Sequence, residues 1–391
     1  MRKFLGPFCL VSIIIPFTVG CKLFDKNYEK IIHSDGSEET TKEVTIESLL
    51  EDGKEVAIIP NEWMEFCQKN ESPGDVDKYN ISGTEISNPE SVVLRWTNKN
   101  ETSKYTFLLA TNKEMKEPQT YEVDSTSVTL EDLFAGTSYY YQIKAHYDDY
   151  DVLSKRFEFK TYDYFRTLKI DGVLNARDLG SKTTNNGKKR VKQGLVYRSA
   201  NFDSVKPEGI TNAINKYGLK TDLDLREPGP TESPLGSNVQ YINNGVGTYG
   251  SPLYVSVDNG INSTEYQPVM RDNLKVFANI NNLPAVFHCA VGRDRTGTLA
   301  ATLLLLLGVK VEQIKLDYAV SFFSRACNNY TFADYETSFE YLLKYFEHFK
   351  GGNVTDKSSI YDRAEQYCLH IGLTKNEISQ IRSNLLEDIK K

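Results

Sequence analysis

Apolar residues recur along this chain with two different periods, and the period changes near residue 163. Between residues 82 and 162 the spacing is two. Val92, Leu94 and Trp96 alternate with polar neighbours, the pattern of a strand with one buried face. Tyr105 to Leu109, Ser127 to Leu130 and Phe157 to Thr161 read as further strands. Short strands separated by turn residues predict a small all-β sandwich over 82–162. From residue 163 onward strand and helix alternate. Leu219, Thr221, Leu223 and Leu225 mark a strand, and Ile210, Ile214 and Tyr217 mark a helix stopped by Gly218. Leu283 to Phe287 is another apolar strand. Leu303 to Leu307 is apolar on every side, as expected of a helix at the centre of a domain. Phe332, Tyr335, Phe339, Leu342, Phe346 and Phe349 fall at three-four spacing, an aromatic stripe that reads as helix core. Thr374 to Glu377 forms a capping box for the last helix. The alternation predicts an α/β domain over 163–391, a central, mostly parallel sheet flanked by helices.

The rest of the chain is polar or turn-rich. Residues 21 to 81 read as a tether with some order around Val56 to Phe66. Residues 227 to 255 hold Pro228, Gly229, Pro230 and several later glycines, and read as a mobile flap.

A chain of 391 residues accommodates two or more domains. Its net charge of −7 argues against nucleic acid as a partner. The first twenty residues have a charged start, Arg2 and Lys3, and an apolar stretch from Phe4 to Val19. They read as a signal peptide. Thr18-Val19-Gly20-Cys21 resembles a bacterial lipoprotein processing site, which implies lipidation at Cys21 and an exported protein anchored on the periplasmic or cell-surface side of a membrane. Pro7 and Pro16 bracket too short a stretch for a membrane span. Of six cysteines, Cys9 falls in the signal, and the remainder suggest no disulfide framework.

The chemistry concentrates in His288-Cys289-Ala290-Val291-Gly292-Arg293-Asp294-Arg295-Thr296-Gly297. A strand precedes this run and a helix follows it. Consecutive amides in a tight loop, at the positive end of a helix, form a nest for an anion with several oxygens. The loop residues Ala290 to Thr296 are therefore the candidate phosphate site. Arg295 adds a planar fork for two anionic oxygens, and Gly292 lets backbone approach closely. The same field predicts an ionised Cys289 near neutral pH, a nucleophile for phosphorus. Thr296 is placed to hydrogen-bond the sulfur, and His288 to orient the loop through backbone contacts. A leaving alcohol needs a proton, and Asp294, Asp224 and Asp258 are the candidate donors. The plain alternative is a buried structural cysteine. A rhodanese-type sulfur carrier is a second, against which the loop length argues.

These residues resemble the phosphate-binding loop of the protein tyrosine phosphatase superfamily. The similarity is greatest to the bacterial group whose loop reads His-Cys-x-x-Gly-Lys-Asp-Arg-Thr-Gly, with Arg293 here in place of lysine. Asn175-Ala176-Arg177-Asp178-Leu179-Gly180, the segment Gly194 to Ser199 with Arg198, and Asp224-Leu225-Arg226 resemble further motifs of that group, in order, over about residues 164 to 391. The resemblance implies a metal-free, cofactor-free phosphatase acting on a phosphorylated protein or another phosphate monoester. Cys289 would be the nucleophile, Arg295 the clamp and Asp294 an acid; Asp224, Arg226, Asp258, Arg198 and Arg177 are secondary candidates. It also admits a phosphoinositide or inositol phosphate substrate, and a non-catalytic phosphate-binding adaptor stands beside both. Leu133 to Lys144, with the early Trp96, resembles the tyrosine corner of a fibronectin type III module, which implies a spacer or a module that binds a protein partner.

The leader makes its own prediction. In a bacterium that processes lipoproteins the chain should incorporate labelled palmitate, and Cys21→Ser should lose the label. A variant that keeps it refutes anchoring at Cys21.

Overall fold

The computed structural model describes residues 28–69, 71–79, 85–227, 229–245, 260–327 and 329–389. The proposed signal peptide, Cys21 and Asp258 lie outside the described residues.

The all-β part begins far earlier than residue 82. Four short strands come first: β1 (Glu29–His33), β2 (Glu38–Thr41), β3 (Ile46–Ser48) and β4 (Lys54–Val56). A helix, α1 (Asn61–Gln68), follows. Then come β5 (Val92–Asn98), β6 (Tyr105–Ala110), β7 (Gln119–Val123), β8 (Ser127–Leu130), β9 (Ser138–His146), β10 (Tyr150–Leu153) and β11 (Phe157–Thr161). One sheet runs β2-β1-β10-β9-β11-β4, with β6 also on β9 and β7 beyond β6; the facing sheet is β3-β5-β8. Rings fill the space between them. Trp96 stacks on Phe107, Phe107 on Tyr141 and Tyr141 on Phe157, with centroids 6.0, 5.2 and 5.3 Å apart. The Tyr139 hydroxyl accepts the N–H of Phe134 at 2.8 Å.

The expected tether is therefore corrected from Glu29 to Val56, where the chain forms paired strands. β1 pairs with β10, β3 with β5, and β4 runs parallel to β11. The composition misled because its most buried acid is structural. Glu29 is fully buried, and its carboxylate accepts the Thr45 N–H and hydroxyl and the Ile46 N–H at 2.9, 2.8 and 2.7 Å. Three such bonds offset the desolvation of the charge.

The segment between β4 and β5 packs on the second half of the chain. Trp63, fully buried on α1, stacks on Phe323 at 5.0 Å and meets Phe165 edge-on at 5.5 Å. A 3-10 turn, Pro73–Lys78, carries Asp77.

That second half contains β12 (Arg177–Asp178), β13 (Lys189–Val191), β14 (Val196–Ser199), α2 (Pro207–Thr211), β15 (Thr221–Asp224), β16 (Gln240–Asn243), α3 (Tyr266–Val276), β17 (Ala285–His288) and α4 (Asp294–Leu306). It ends with α5 (Val311–Ala319), α6 (Phe332–His348), α7 (Ile360–His370), α8 (Lys375–Leu385) and β18 (Leu386–Asp388). The central sheet runs β12-β14-β17-β15-β16. All its pairs are parallel except β12 with β14. Part of the expected flap is thus strand: Gln240 to Asn243 pair with β15 at the sheet edge. Every side chain of α4 from Thr296 to Leu306 is buried, so this helix lies behind the sheet's middle strand as its uniform apolarity requires.

The two halves share one continuous apolar cluster that includes Trp96 and Leu303. Arg166 ties them as well. Its guanidinium pairs with Asp132 at 2.7 Å and Asp178 at 2.9 Å and lies 4.4 Å from the Phe134 ring centroid.

Because Trp63 is fully buried between Phe165 and Phe323, Trp63→Ala should cost about 3–5 kcal/mol of stability. Chemical denaturation followed by tyrosine fluorescence and circular dichroism measures it. A loss below about 1 kcal/mol would mean the segment merely lies on the surface.

Candidate active site

Parallel strands place their carboxyl ends along one edge, where open α/β sheets commonly hold ligands. Here Ser199 of β14, His288 of β17 and Asp224 of β15 stand in register. Cys289 is the next residue after β17, and its loop turns directly into α4.

Three loop carbonyls are pulled away from the loop's concave side. The Ala290 carbonyl accepts the Asn201 side-chain amide at 2.8 Å and its backbone N–H at 3.3 Å. The Val291 carbonyl accepts Asn175 Nδ2 at 3.0 Å, and the Gly292 carbonyl accepts Arg198 Nη2 at 2.8 Å. A peptide group whose oxygen is held outward turns its N–H toward the other side, which is how a nest forms. Gly292 has φ +71°, and a Cβ there would lie 2.4 Å from the Ser199 carbonyl oxygen. Only glycine fits. The N-cap residue of α4, Arg293, makes no side-chain cap hydrogen bond to its first turn.

Cys289 is 2% exposed. Arg295 is half-buried, donates to the Leu225 carbonyl at 3.2 Å, and has no carboxylate partner among the described residues. The Thr296 hydroxyl is buried without a hydrogen-bond partner among the described residues. These groups fit a phosphate: unengaged guanidinium donors, a hydroxyl and a ring of amides beside a thiol. Among the described residues no group of three or more His, Cys, Asp or Glu side chains is arranged to hold a metal.

His288 is fixed by more than backbone. Its carbonyl accepts the Leu225 N–H at 2.8 Å, and its Nε2 also meets Asp222 Oδ1 at 2.8 Å. Asp222 takes the Ser233 hydroxyl at 2.6 Å on its other oxygen. Sequence reasoning did not find Asp222, although it alternates with Asp224 on a fully buried strand.

Two of the three acid candidates are forked by the arginine beside them. Arg226 donates to Asp224 from Nε at 3.0 Å and Nη2 at 2.8 Å, and Tyr241 adds a hydroxyl at 3.2 Å. Burial of Asp224 opposes its charge, but the Arg226 fork and nearby His288 outweigh it and hold the carboxyl below the ordinary range. Arg226 also forks Asp203 at 2.6 and 3.0 Å. Arg293 donates to Asp294 at 2.8 and 3.1 Å.

The Arg293 side chain is a correction to its expected role as a phosphate ligand. Its guanidinium lies 3.7 Å from the Tyr335 ring centroid, 4.8 Å from Tyr330 and 5.4 Å from Phe322. Only 4% of the side chain is accessible. Cation–π contact with three rings holds it beside the loop rather than over it; its place in the loop is that of a backbone amide.

Beneath the loop sits a buried charge cluster. Asp317 of α5 meets Arg198 Nη1, Lys182 Nζ at 3.1 Å and Arg177 Nε at 3.5 Å. Its carbonyl also accepts Arg177 Nη2 at 2.7 Å. Burial opposes ionisation of Asp317, but Lys182, Arg198 and Arg177 outweigh it and hold the carboxyl well below its usual range. Burial and the neighbouring Arg198 pull Arg177 down to about 9, and burial also lowers Lys182. Three cations face one carboxylate, so the cluster presents excess positive charge to the underside of the loop. Arg177 and Arg198 thus act through the loop rather than on its open side. Asp317 and Lys182 escaped the sequence reading. Asp317 was visible only as an acid beside the buried Ile314 and Tyr318.

Residues 168–387 match the family model described as "Tyrosine phosphatase family". A Cupriavidus necator protein named "Putative tyrosine-protein phosphatase" is 30% identical over 172 residues, 39% of this chain. The match spans 62% of that protein's length, less than two thirds of it. Two solved structures resemble parts of the fold. The core catalytic domain of the PP-IP phosphatase SIW14 from S. cerevisiae, in complex with citrate, is 18% identical with a TM-score of 0.27, covering 34% of this chain and 76% of that one. A structure of the Siw14 catalytic core is 16% identical with a TM-score of 0.29, covering 43% of this chain and 86% of that one.

The charge cluster generates a stability prediction. Asp317→Asn leaves buried cations without their counterion and should cost about 3–5 kcal/mol. Since the folded-state pKa of Asp317 is depressed, its contribution is complete above its unfolded value of about 4 and is lost as pH falls below it. The variant should show a flatter fall in stability across that acid range, by urea titration at successive pH values. Curves of equal depth and slope would remove Asp317 from its role.

Proposed function

The chain belongs to the tyrosine phosphatase family, and from that premise we propose that it is a cysteine-dependent phosphatase. It hydrolyses phosphotyrosine or a related phosphate monoester through a phosphocysteine intermediate. The observation that carries this reading is the loop. Its carbonyls at 290, 291 and 292 are bound outward, with Cys289 at one end and Arg295, a guanidinium without a carboxylate partner among the described residues, at the other.

The chemistry follows from that arrangement. The loop amides and the Arg295 fork hold the non-bridging phosphoryl oxygens. The Cys289 sulfur attacks phosphorus; an S–P bond forms and the ester P–O bond breaks. The departing oxygen takes a proton from an aspartic acid. Asp224 and Asp294 are each forked by an arginine, and Asp294, Asp224 and Asp258 are the donors to compare. Water then attacks the phosphocysteine and returns a proton to the same aspartate; a P–O bond forms, the S–P bond breaks, inorganic phosphate leaves and the Thr296 hydroxyl eases departure of the sulfur as thiolate.

From the leader sequence alone we propose that the protein is exported and anchored on the periplasmic or cell-surface side of a membrane through a lipidated Cys21. The β-sandwich is a fibronectin-like spacer that sets the height of the loop above the lipid surface.

A chromogenic phosphate ester with EDTA present tests the core of it. Wild type should turn over, Cys289→Ser should lose about a thousandfold or more, and Arg295→Lys should lose about tenfold to a hundredfold in kcat/KM. Equal turnover by Cys289→Ser would dismiss the nucleophile. Tight vanadate binding without turnover of any ester would favour the adaptor.

A further inference from the structure

We infer that Arg293 sets the specificity of this site by being withheld from it: the loop offers binding charge for one phosphate and none for a second beside it. The inference rests on the phosphatase reading above and sharpens it.

A phosphate group carries about 1.5–2 negative charges near neutral pH. A site for adjacent phosphates needs a separate cation or set of donors for each. At this edge of the sheet three arginines lie close to the loop. Arg226 is forked by Asp224 and Asp203. Arg293 is forked by Asp294 and enclosed by Tyr335, Tyr330 and Phe322. Arg295 alone of the three has no carboxylate partner among the described residues. Arg177, Arg198 and Lys182 are buried on Asp317, and Arg198 meets the loop from below at the Gly292 carbonyl.

The sequence bears on one further route by which a cation could arrive, the stretch that follows Arg226. From Glu227 to Met270 the chain holds no Lys, Arg or His, while it holds Glu227, Glu232, Asp258 and Glu265. Whatever position that stretch takes, it brings no positive charge to a second phosphate.

Arginine at 293 suits this withheld state better than lysine would. A planar guanidinium forks a carboxylate and stacks flat on a ring at once; an ammonium does neither as well and is more strongly hydrated. Lysine at 293, or loss of the ring that holds the guanidinium, should return a cation to the loop's open side.

The test uses the full chain and measures how inositol 4-monophosphate and inositol 4,5-bisphosphate inhibit turnover of the chromogenic ester, with direct calorimetric binding of both in parallel. Wild type should bind the two within about threefold of each other, because the second phosphate meets no unpaired cation. In Arg293→Lys and, separately, Tyr335→Leu, the bisphosphate should gain about threefold to tenfold over the monophosphate. A wild type that already prefers the bisphosphate by more than tenfold overturns the inference, as does an unchanged ratio in both variants. Should either variant fail to fold, the wild-type ratio and the other variant decide. A wild type that turns over no ester strikes the phosphatase reading instead, and the calorimetric ratio still judges Arg293.

Discussion

One carboxylate holds the functional edge of this protein together. Asp317 is the common anion for Arg177, Arg198 and Lys182, and these three come from the two segments that support the loop. Arg198 reaches from Asp317 to the Gly292 carbonyl. Arg177 reaches to Asn175, whose amide holds the Val291 carbonyl. The chain of contacts from α5 to the loop is therefore unbroken. Removing water from three cations is costly and a single anion offsets part of it. The residue of positive charge is directed at the loop, where an anion would complete the balance. The packing leaves this cluster, within an acidic protein, short of negative charge, and the deficit lies beneath the nest.

Much of this was legible in the sequence, for physical reasons that can be named. The loop was visible because its features are local: a strand end, a cysteine, a glycine at positive φ and a helix start lie within ten residues. The helices α4 and α6 were visible because a long apolar run, or an apolar repeat at three-four spacing, suits a buried helix face and little else. Strands β5, β8 and β11 were visible because they alternate, and β6 because it is a short, mostly apolar run. What stayed hidden depends on distant partners. Glu29 looks like solvent-facing charge until Thr45 and Ile46 are seen to surround it. Asp317 looks like an ordinary helix acid until Arg177, Arg198 and Lys182 converge on it. Arg293 looked like a ligand because the loop sequence names it; Tyr330 and Tyr335 lie too far along the chain for spacing to connect them. The loop from 227 to 255 looked uniformly irregular because its strand, Gln240 to Asn243, is short and lies at the sheet edge with neither end residue buried.

The sandwich and the α/β half behave as one packed body rather than as beads on a string. Arg166 bridges Asp132 and Asp178 across the junction. Gln193 exchanges two hydrogen bonds with the Ala135 backbone at 2.8 and 2.9 Å. Trp63 fills a hollow between Phe165 and Phe323. Such contacts exchange freedom of orientation for a fixed relation between the chain's first strands and the loop.

Two acids near the front of the chain carry this dependence in time as well as in space. Asp77 accepts the N–H groups of Phe332 and Ala333, the first of them 255 residues downstream. Glu85 accepts the Ser324 hydroxyl 239 residues downstream. A ribosome therefore delivers the aromatic face of α1 long before anything exists to cover it. Contacts of such separation form late and slowly, and a half-made chain shows bare rings to every neighbour. The final third of the polypeptide is what renders its beginning safe in solution.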